Sequence, residues 1–361
     1  MVDDVYRKLA QRLHAIPNGF TPTKSGVDLR LLAKIFEPEE AALAMLMSLT
    51  PETAATIGAR AGLDERAAFR LLKGMVRKGQ IEIQRRDGKL LFALLPFVFG
   101  IYEFQLPRID AEMAQLFEEY LQETRGGAIL HGQPSIHRVI PVRESISVDL
   151  GVFPYERAAE LLDRAKSWGV LDCICRVQQK LVGRGCDHTV QNCMAFAPEA
   201  GLFGGGSHIR AISKQDALKI LEDAAQEGLV HSTGNYRDGN FHICNCCVCC
   251  CGILRGISEF GIPSAIAHSD FEAVVDGEAC IGCGECVGHC QLDALSLGDE
   301  VCEVDLARCI GCGVCTLACP TGALHLARRP ADATPLPPWD NDEWLEQRAD
   351  DRGVSLKEVR S

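Results

Sequence analysis

Eighteen of the nineteen cysteines in this sequence fall into three dense groups, and their spacing is that of metal ligands rather than of disulfides. Cys280, Cys283, Cys286 and Cys290 read CxxCxxCxxxC, and Cys309, Cys312, Cys315 and Cys319 repeat that spacing, with Pro320 closing the second copy. Thiolates so spaced hold [4Fe-4S] clusters in pairs. Three of them wrap one corner of a cubane, but the loop is too tight to supply a fourth, so the last cysteine of each run serves the other cluster. Cys280, Cys283, Cys286 and Cys319 are thereby assigned to one cluster, and Cys309, Cys312, Cys315 and Cys290 to the second. Gly282, Gly284, Gly311 and Gly313 remove side chains where backbone amides must face sulfide. A pair of zinc knuckles would use cysteine pairs with longer spacers.

The pattern resembles bacterial-type ferredoxins. The resemblance implies a domain over 271–328, a short helix after each run, and single-electron transfer at low potential; 292–297 and 322–326, with Ala294 and Ala323 matching, fit the family's end-of-repeat pattern. One departure stands out, because Gln291 occupies the position of Pro320 in the second repeat. It loosens the turn and removes no ligand.

The other ten grouped cysteines lie upstream. Cys173, Cys175, Cys186 and Cys193 are spread over about twenty residues, and Cys244, Cys246, Cys247, Cys249, Cys250 and Cys251 crowd into CNCCVCCCG. Six cysteines in eight residues cannot all be core, and six free exposed thiols invite oxidation, so metal ligation is the economical reading. If that stretch is extended, Cys244, Cys246 and Cys250 face one way and Cys247, Cys249 and Cys251 the other. The CCG ending resembles the cysteine-rich domain of heterodisulfide reductases, which implies non-cubane clusters with five cysteines each. Two ordinary cubanes using eight of the ten are the leading expectation, and a single cubane and a mononuclear site are the other options. Arg176, directly after CxC, is placed to neutralise an anionic cluster; Asp187, His188 and His242 are possible ligands, with a solvated polar role as the default. Cys302 is left alone.

The elements that must position these groups read as α+β and multidomain. A helix over 3–14 and a Pro/Gly-punctuated loop over 17–26 make up 1–35. Helices over 39–49, 51–61 and 64–78, the last capped by Asp64, precede strands at 81–84 and 89–94 joined by Asp87-Gly88. That order resembles a winged helix-turn-helix domain over 36–96, in which the third helix enters the major groove of DNA in the members that bind it. Arg66, Arg70, Lys73 and Arg77 recur along that helix and Arg85, Arg86 and Lys89 decorate the wing, so that nine basic and four acidic residues lie between Arg60 and Lys89. A docking module without DNA is the plainer expectation. A connecting region, 97–150, holds an amphipathic helix over 110–123 with Met113, Leu116, Phe117 and Tyr120 on one side, then β-like runs at 136–141 and 145–150. The cysteine-rich α/β middle region, 151–261, carries helices at 155–168 and 213–228 and a strand at 229–232. An acidic, Pro-containing tail, 329–361, is a docking helix or a mobile extension.

Composition bounds the rest. At 361 residues with 47% hydrophobic and 24% charged content, the chain suits a globular protein of two or three domains, and no stretch has the roughly 20 apolar residues a membrane span needs. The N-terminal stretch lacks a signal peptide's apolar core, and so many free thiols suit a reducing cytoplasm. A net charge of −12 disfavours wholesale nucleic-acid binding and suits docking to a basic patch on a redox partner protein. The glycine-rich loop at 201–207 lacks the GK[ST] of a phosphate loop. In its order of segments the chain resembles a group of ferredoxin-like proteins from anaerobic microorganisms. The expected function is iron-sulfur electron transfer, as a component of an oxidoreductase system. Alternatives are a reductase with a substrate-binding cluster in the middle region, and a redox-responsive winged-helix regulator.

Overall fold

A computed structural model describes residues 2–142, 157–204, 209–330 and 333–360. The chain divides into two compact units: Met1–Gln133 with Leu181–Gly183 and Leu345–Ser361, and Pro134–Lys180 with Arg184–Trp344. Helix and sheet are mixed, as an α+β reading requires.

The first unit opens with α1 (Val2–Ala15), α2 (Val27–Ile35), α3 (Pro38–Ala44), α4 (Ala54–Ala61) and α5 (Glu65–Arg77). Caps set the starts of the last two, since the side chain of Thr53 accepts from Thr56 N–H and that of Asp64 from Ala67 N–H. On α5 the residues Ala68, Leu72 and Met75 are buried, while Arg66, Arg70, Lys73 and Arg77 stay exposed. The antiparallel pair β1 (Ile81–Arg86) and β2 (Lys89–Leu94) comes next. Its turn, Asp87-Gly88, takes positive φ at both residues, which matches the strand twist. The expected elements of 36–96 thus occur in the expected order. Sequence pattern alone passes over α2, whose N-cap is Gly26 in left-handed backbone with no side-chain cap, so the punctuation looks like continuing loop. It likewise passes over the short α7 (Gly127–His131), which comes after α6 (Ala111–Thr124). Met113, Leu116, Phe117 and Tyr120 of α6 are buried in an aromatic core, where Phe20 stacks on Tyr120 and Tyr102 on Phe117.

The second unit is built on a six-stranded antiparallel sheet. Its strands are β3 (His137–Ile140), β4 (Ser167–Asp172), β5 (Gln191–Ala197), β6 (Arg210–Ile212), β7 (Val230–Gly234) and β8 (His242–Cys246), in the order β3-β7-β8-β5-β4-β6. Between them come α8 (Ala158–Asp163), α9 (Ile174–Leu181) and α10 (Lys214–Gln226), and α11 (Gly252–Ser258) lies just beyond β8. A capping box of Ser213 and Asp216 starts α10. Ala217 and Leu221 of α10 pack with Leu161, Leu162, Met194, Phe196 and Ile243 to form the core. The helix expected over 155–168 ends at Asp163; Trp168 belongs to β4, and its indole donates to Leu162 O at 3.0 Å. The strand expected at 145–150 and part of the glycine loop at 201–207 lie outside the described residues.

The C-terminal cysteine runs complete this unit. β9 (Phe271–Val275) pairs with β12 (Leu324–Arg328), and β10 (Leu295–Leu297) with β11 (Cys302–Val304). The short helices α12 (Glu285–His289) and α13 (Val314–Leu317) sit inside the cysteine runs rather than after them. Each run leads instead into a strand, the first into β10 and the second into β12.

Of the two expectations for the tail, a docking helix or a mobile extension, the structure has helices, α14 (Asn341–Arg352) and α15 (Leu356–Arg360). The residues from Leu345 onward belong to the first unit, and Arg348 is fully buried there. Its guanidinium donates to the carbonyls of Pro17, Ala128, Ile129 and Gly132 at 2.5–2.9 Å. Arg348→Ala leaves those carbonyls without this donor and opens a void, a loss of about 3 kcal/mol or more. A clear drop in the unfolding temperature is expected, and an unchanged melting curve would show that the buried guanidinium does not hold this unit together.

Candidate metal centres

The two C-terminal runs converge on two hollows. The first, of about 330 Å³, is lined by Cys280, Cys283, Cys286 and Cys319, together with Ile281, Leu297 and Cys302. The second, of about 400 Å³, is lined by Cys290, Cys309, Cys312 and Cys315, with Gln291 and Ile310. Each hollow therefore draws three cysteines from one run and the fourth from the other. Positive φ at Gly282 and Gly311 (64° and 70°) brings the loops close: a Cβ would stand 2.8 Å from Glu300 O at the first and 2.0 Å from Phe271 O at the second.

The two hollows differ in their access to water. At the first, Cys283 is exposed and Ile281 is 67% exposed. At the second, Cys309 and Cys315 are buried, and burial pushes the thiols of Cys315 and Cys312 upward, the latter to about 12. Amides point at sulfur in both: Cys302 N–H lies 3.5 Å from Cys280 Sγ, and Ala294 N–H 3.2 Å from Cys290 Sγ. Burial raises the Cys319 thiol, but the amides of Leu324, Thr321 and Ala323 and the Thr321 hydroxyl outweigh it and hold that thiol below its ordinary range. Cys302, which the spacing left alone, is buried with its sulfur 3.5 Å from that of Cys286.

The middle cysteines separate into two sets. Six are electrostatic neighbours in a ring, Cys173–Cys175–Cys251–Cys246–Cys244–Cys193 and back to Cys173, with no three of their sulfurs within 4.8 Å of one another. Adjacent central strands supply Cys193 (β5) and Cys244 and Cys246 (β8). A register shift at Leu171/Asp172 turns the chain before Cys173 and Cys175. Hydrogen bonds from Cys175 and Cys193 hold Cys173 well below the ordinary thiol range, and those from Cys244 and Cys251 bring Cys246 to about 7. The four donors are correspondingly raised.

The remaining four, Cys186, Cys247, Cys249 and Cys250, bring their sulfurs within 4.8 Å of one another. The expected alternation fails here because β8 stops at Cys246. Residues 248–250 form a turn in which Cys251 N–H donates to Cys247 O at 3.0 Å, so neighbouring sulfurs converge instead of alternating. By proximity these four stand as a set of their own beside the other six.

Arg176 stands between the sets. It is 2% exposed, donates to Thr189 O, Asn192 Oδ1 and Asn245 O, and pairs with no carboxylate among the described residues. Burial works against its charge, but Cys173, Cys247 and Cys246 outweigh that and hold the guanidinium above its ordinary value. At Cys247 the hydrogen bond from Cys250 acts first; with Arg176 it overcomes burial and brings the thiol to about 5. A buried cation with thiolates as its anions fits a metal-thiolate site. Asp187 is exposed and His188 lies 3.6 Å from Glu227, so both keep polar surface roles. His242 departs from that default. Its Nε2 is 2.9 Å from His137 Nε2, it lies with His137 near Cys244, and burial lowers it to about 4. Nothing in the sequence marked His137, 105 residues away.

The two cysteine regions meet at Gln291. Its Nε2 donates to Gly228 O at 2.9 Å, and its Oε1 accepts from Val248 N–H, in the turn of the four-cysteine set, at 2.9 Å. On α10, Ala224 packs with Cys247 and Cys250, and the next residue, Ala225, packs with Val314 beside Cys312.

The sequence model of the 4Fe-4S dicluster domain matches residues 279–323, which include all eight C-terminal cysteines. No curated protein matches the chain. The chain thus carries a ferredoxin-like 4Fe-4S domain on its C-terminal side.

The lining of the hollows makes a pairwise prediction. Cys319→Ala combined with Cys283→Ala is expected to lose no more iron than the worse single variant, because both line one hollow. Cys319→Ala with Cys312→Ala is expected to damage both clusters. Iron counts and EPR on anaerobically purified protein read this out, and additive losses in the first pair would reverse the sharing.

Proposed function

We propose that this protein is a multi-cluster electron carrier of a reducing compartment. Two [4Fe-4S] clusters would sit in the C-terminal hollows, held by Cys280, Cys283, Cys286 and Cys319 and by Cys309, Cys312, Cys315 and Cys290, and a further iron-sulfur cluster at the six-thiol ring. Such a cluster takes up and releases single electrons at a potential set by burial and by amides on sulfur. The observation that carries the reading is the Gln291 clamp, which ties the residue after Cys290 to the turn just beyond the ring cysteines of β8. The exposed first hollow is then the side that meets a redox partner, with Ile281 and Leu297 as its apolar rim. The second hollow, lined by Gln291 and packed near Ala225 of α10, would pass electrons toward the middle cysteines. A reductase whose ring cluster binds a substrate would use the same path.

With one four-iron cluster at the ring, the anaerobically isolated chain should hold about twelve irons. Cys173→Ser with Cys244→Ser should bring that to about eight and leave the ferredoxin EPR signal in place. A folded protein that never exceeds eight irons would end the proposal that the middle region carries electrons.

A second reading rests on the basic face of the first unit. Arg66, Arg70, Lys73, Arg77, Arg85, Arg86 and Lys89 are all exposed, and among the described residues none of the seven pairs with a carboxylate. If this unit is a winged helix that contacts duplex DNA, retention should fall steeply with salt and vanish when Arg70, Lys73 and Arg77 become Ala. The electron-carrier reading expects no such retention; salt-sensitive, sequence-selective binding would favour the regulator.

A further inference from the structure

We infer that Cys186, Cys247, Cys249 and Cys250 hold a single tetrahedral metal ion, zinc or iron, and not a cluster. The inference rests on the reading that the middle cysteines are metal ligands, but it divides them by geometry. Four sulfurs bonded to one ion at about 2.3 Å stand roughly 3.8 Å apart at the corners of a tetrahedron. Around a cubane the cysteine sulfurs radiate from four different irons and stand about 6 Å apart. All four sulfurs of this set lie within 4.8 Å of one another, with Cys186 at 3.5 Å from Cys250 and 3.9 Å from Cys247.

The same chain supplies the comparison. Among the described residues, no three of the eight cysteines at the C-terminal hollows bring their sulfurs that close, and those hollows lie within the match to the 4Fe-4S dicluster domain. The six-thiol ring is open in the same sense, touching only between neighbours. One compact tetrahedron of thiols therefore stands apart from the cluster-type sites. The thiophilic ions that take four sulfurs in this geometry are zinc and iron.

Arg176 gives an independent indication. Its guanidinium is 2% exposed, it donates to Thr189 O, Asn192 Oδ1 and Asn245 O, its Nε has no hydrogen-bond partner, and the Cys247 thiol acts electrostatically on it. One divalent ion with four thiolates carries two negative charges, so a cation buried against one corner is offset without a carboxylate. The ion would fix the 247–250 turn, and with it the Val248 N–H that meets Gln291.

The test uses the full-length protein purified without oxygen, with elemental analysis and X-ray absorption at the zinc and iron edges. One zinc per chain with four sulfurs near 2.3 Å, lost in Cys186→Ser while iron and EPR signals stay unchanged, supports the inference in its zinc form. Loss of one iron with a mononuclear ferric-thiolate spectrum supports the iron form. Cys249→His keeps four ligands at the exposed corner, so it should retain the ion with one nitrogen in the shell even if Cys186→Ser fails to fold. Loss of about four irons in Cys186→Ser, with other clusters intact, would overturn the single ion while the electron-carrier proposal stood. A folded Cys186→Ser variant with unchanged metal content would overturn it as well. If the wild-type chain instead holds one zinc and only eight irons, the single ion stands and the ring cluster falls.

Discussion

Thiolate charge next to a buried guanidinium is the constraint that shapes the middle of this protein. Cys173, Cys246 and Cys247, from both sets of middle thiols, act on Arg176, which has no carboxylate to balance it among the described residues. A cation there is tolerable only if some sulfurs are anionic, and sulfurs packed this densely can be anionic together only if metal replaces their protons. Strands β5 and β8, the register shift before Cys173 and the turn at 248–250 are the backbone devices that bring these sulfurs together.

That arrangement also orders the sites. At the first C-terminal hollow Cys283 and Ile281 are exposed, at the second Cys309 and Cys315 are buried, and consecutive alanines of α10 face the second hollow and the four-cysteine turn. Under the proposed electron-carrier function, a difference in burial between the sites would also be a difference in potential, because desolvation disfavours the more highly charged reduced state. The proposed electron path would then run through the contacts that pack the unit.

Legibility in the sequence depended on how local each signal was. The hollows were readable because their ligands recur at fixed spacing, and the helix-and-hairpin run at 36–96 because Asp64, the apolar spacing of α5 and Asp87-Gly88 each act within a few residues. α2 was missed because it starts without a side-chain cap, and Trp168 was placed in a helix because the apolar spacing of 155–168 ignores where β4 begins. The division of the middle thiols was out of reach. Alternation was the right rule for an extended chain, but β8 ends at Cys246, and what ends it is a turn whose purpose lies in Cys186, some sixty residues away in sequence. His137 and His242 were hidden for the same reason, being joined only through β3-β7-β8.

The departure from repeat symmetry at Gln291 now has a physical account. In the second run the equivalent residue, Pro320, is exposed, and a proline closes a turn without reaching for anything. In the first run the position faces Gly228 and Val248, two backbone groups of the middle region, and a glutamine amide offers one donor and one acceptor to match them. Proline there would satisfy neither group, and a shorter polar side chain would not span both. An internal repeat frees each half to be compared with the other. The position where glutamine stands in place of proline is one at which this ferredoxin-like domain is fastened to the rest of its unit, beside the packing of Ala225 on Val314 and the Val142 N–H bond to Cys312 O.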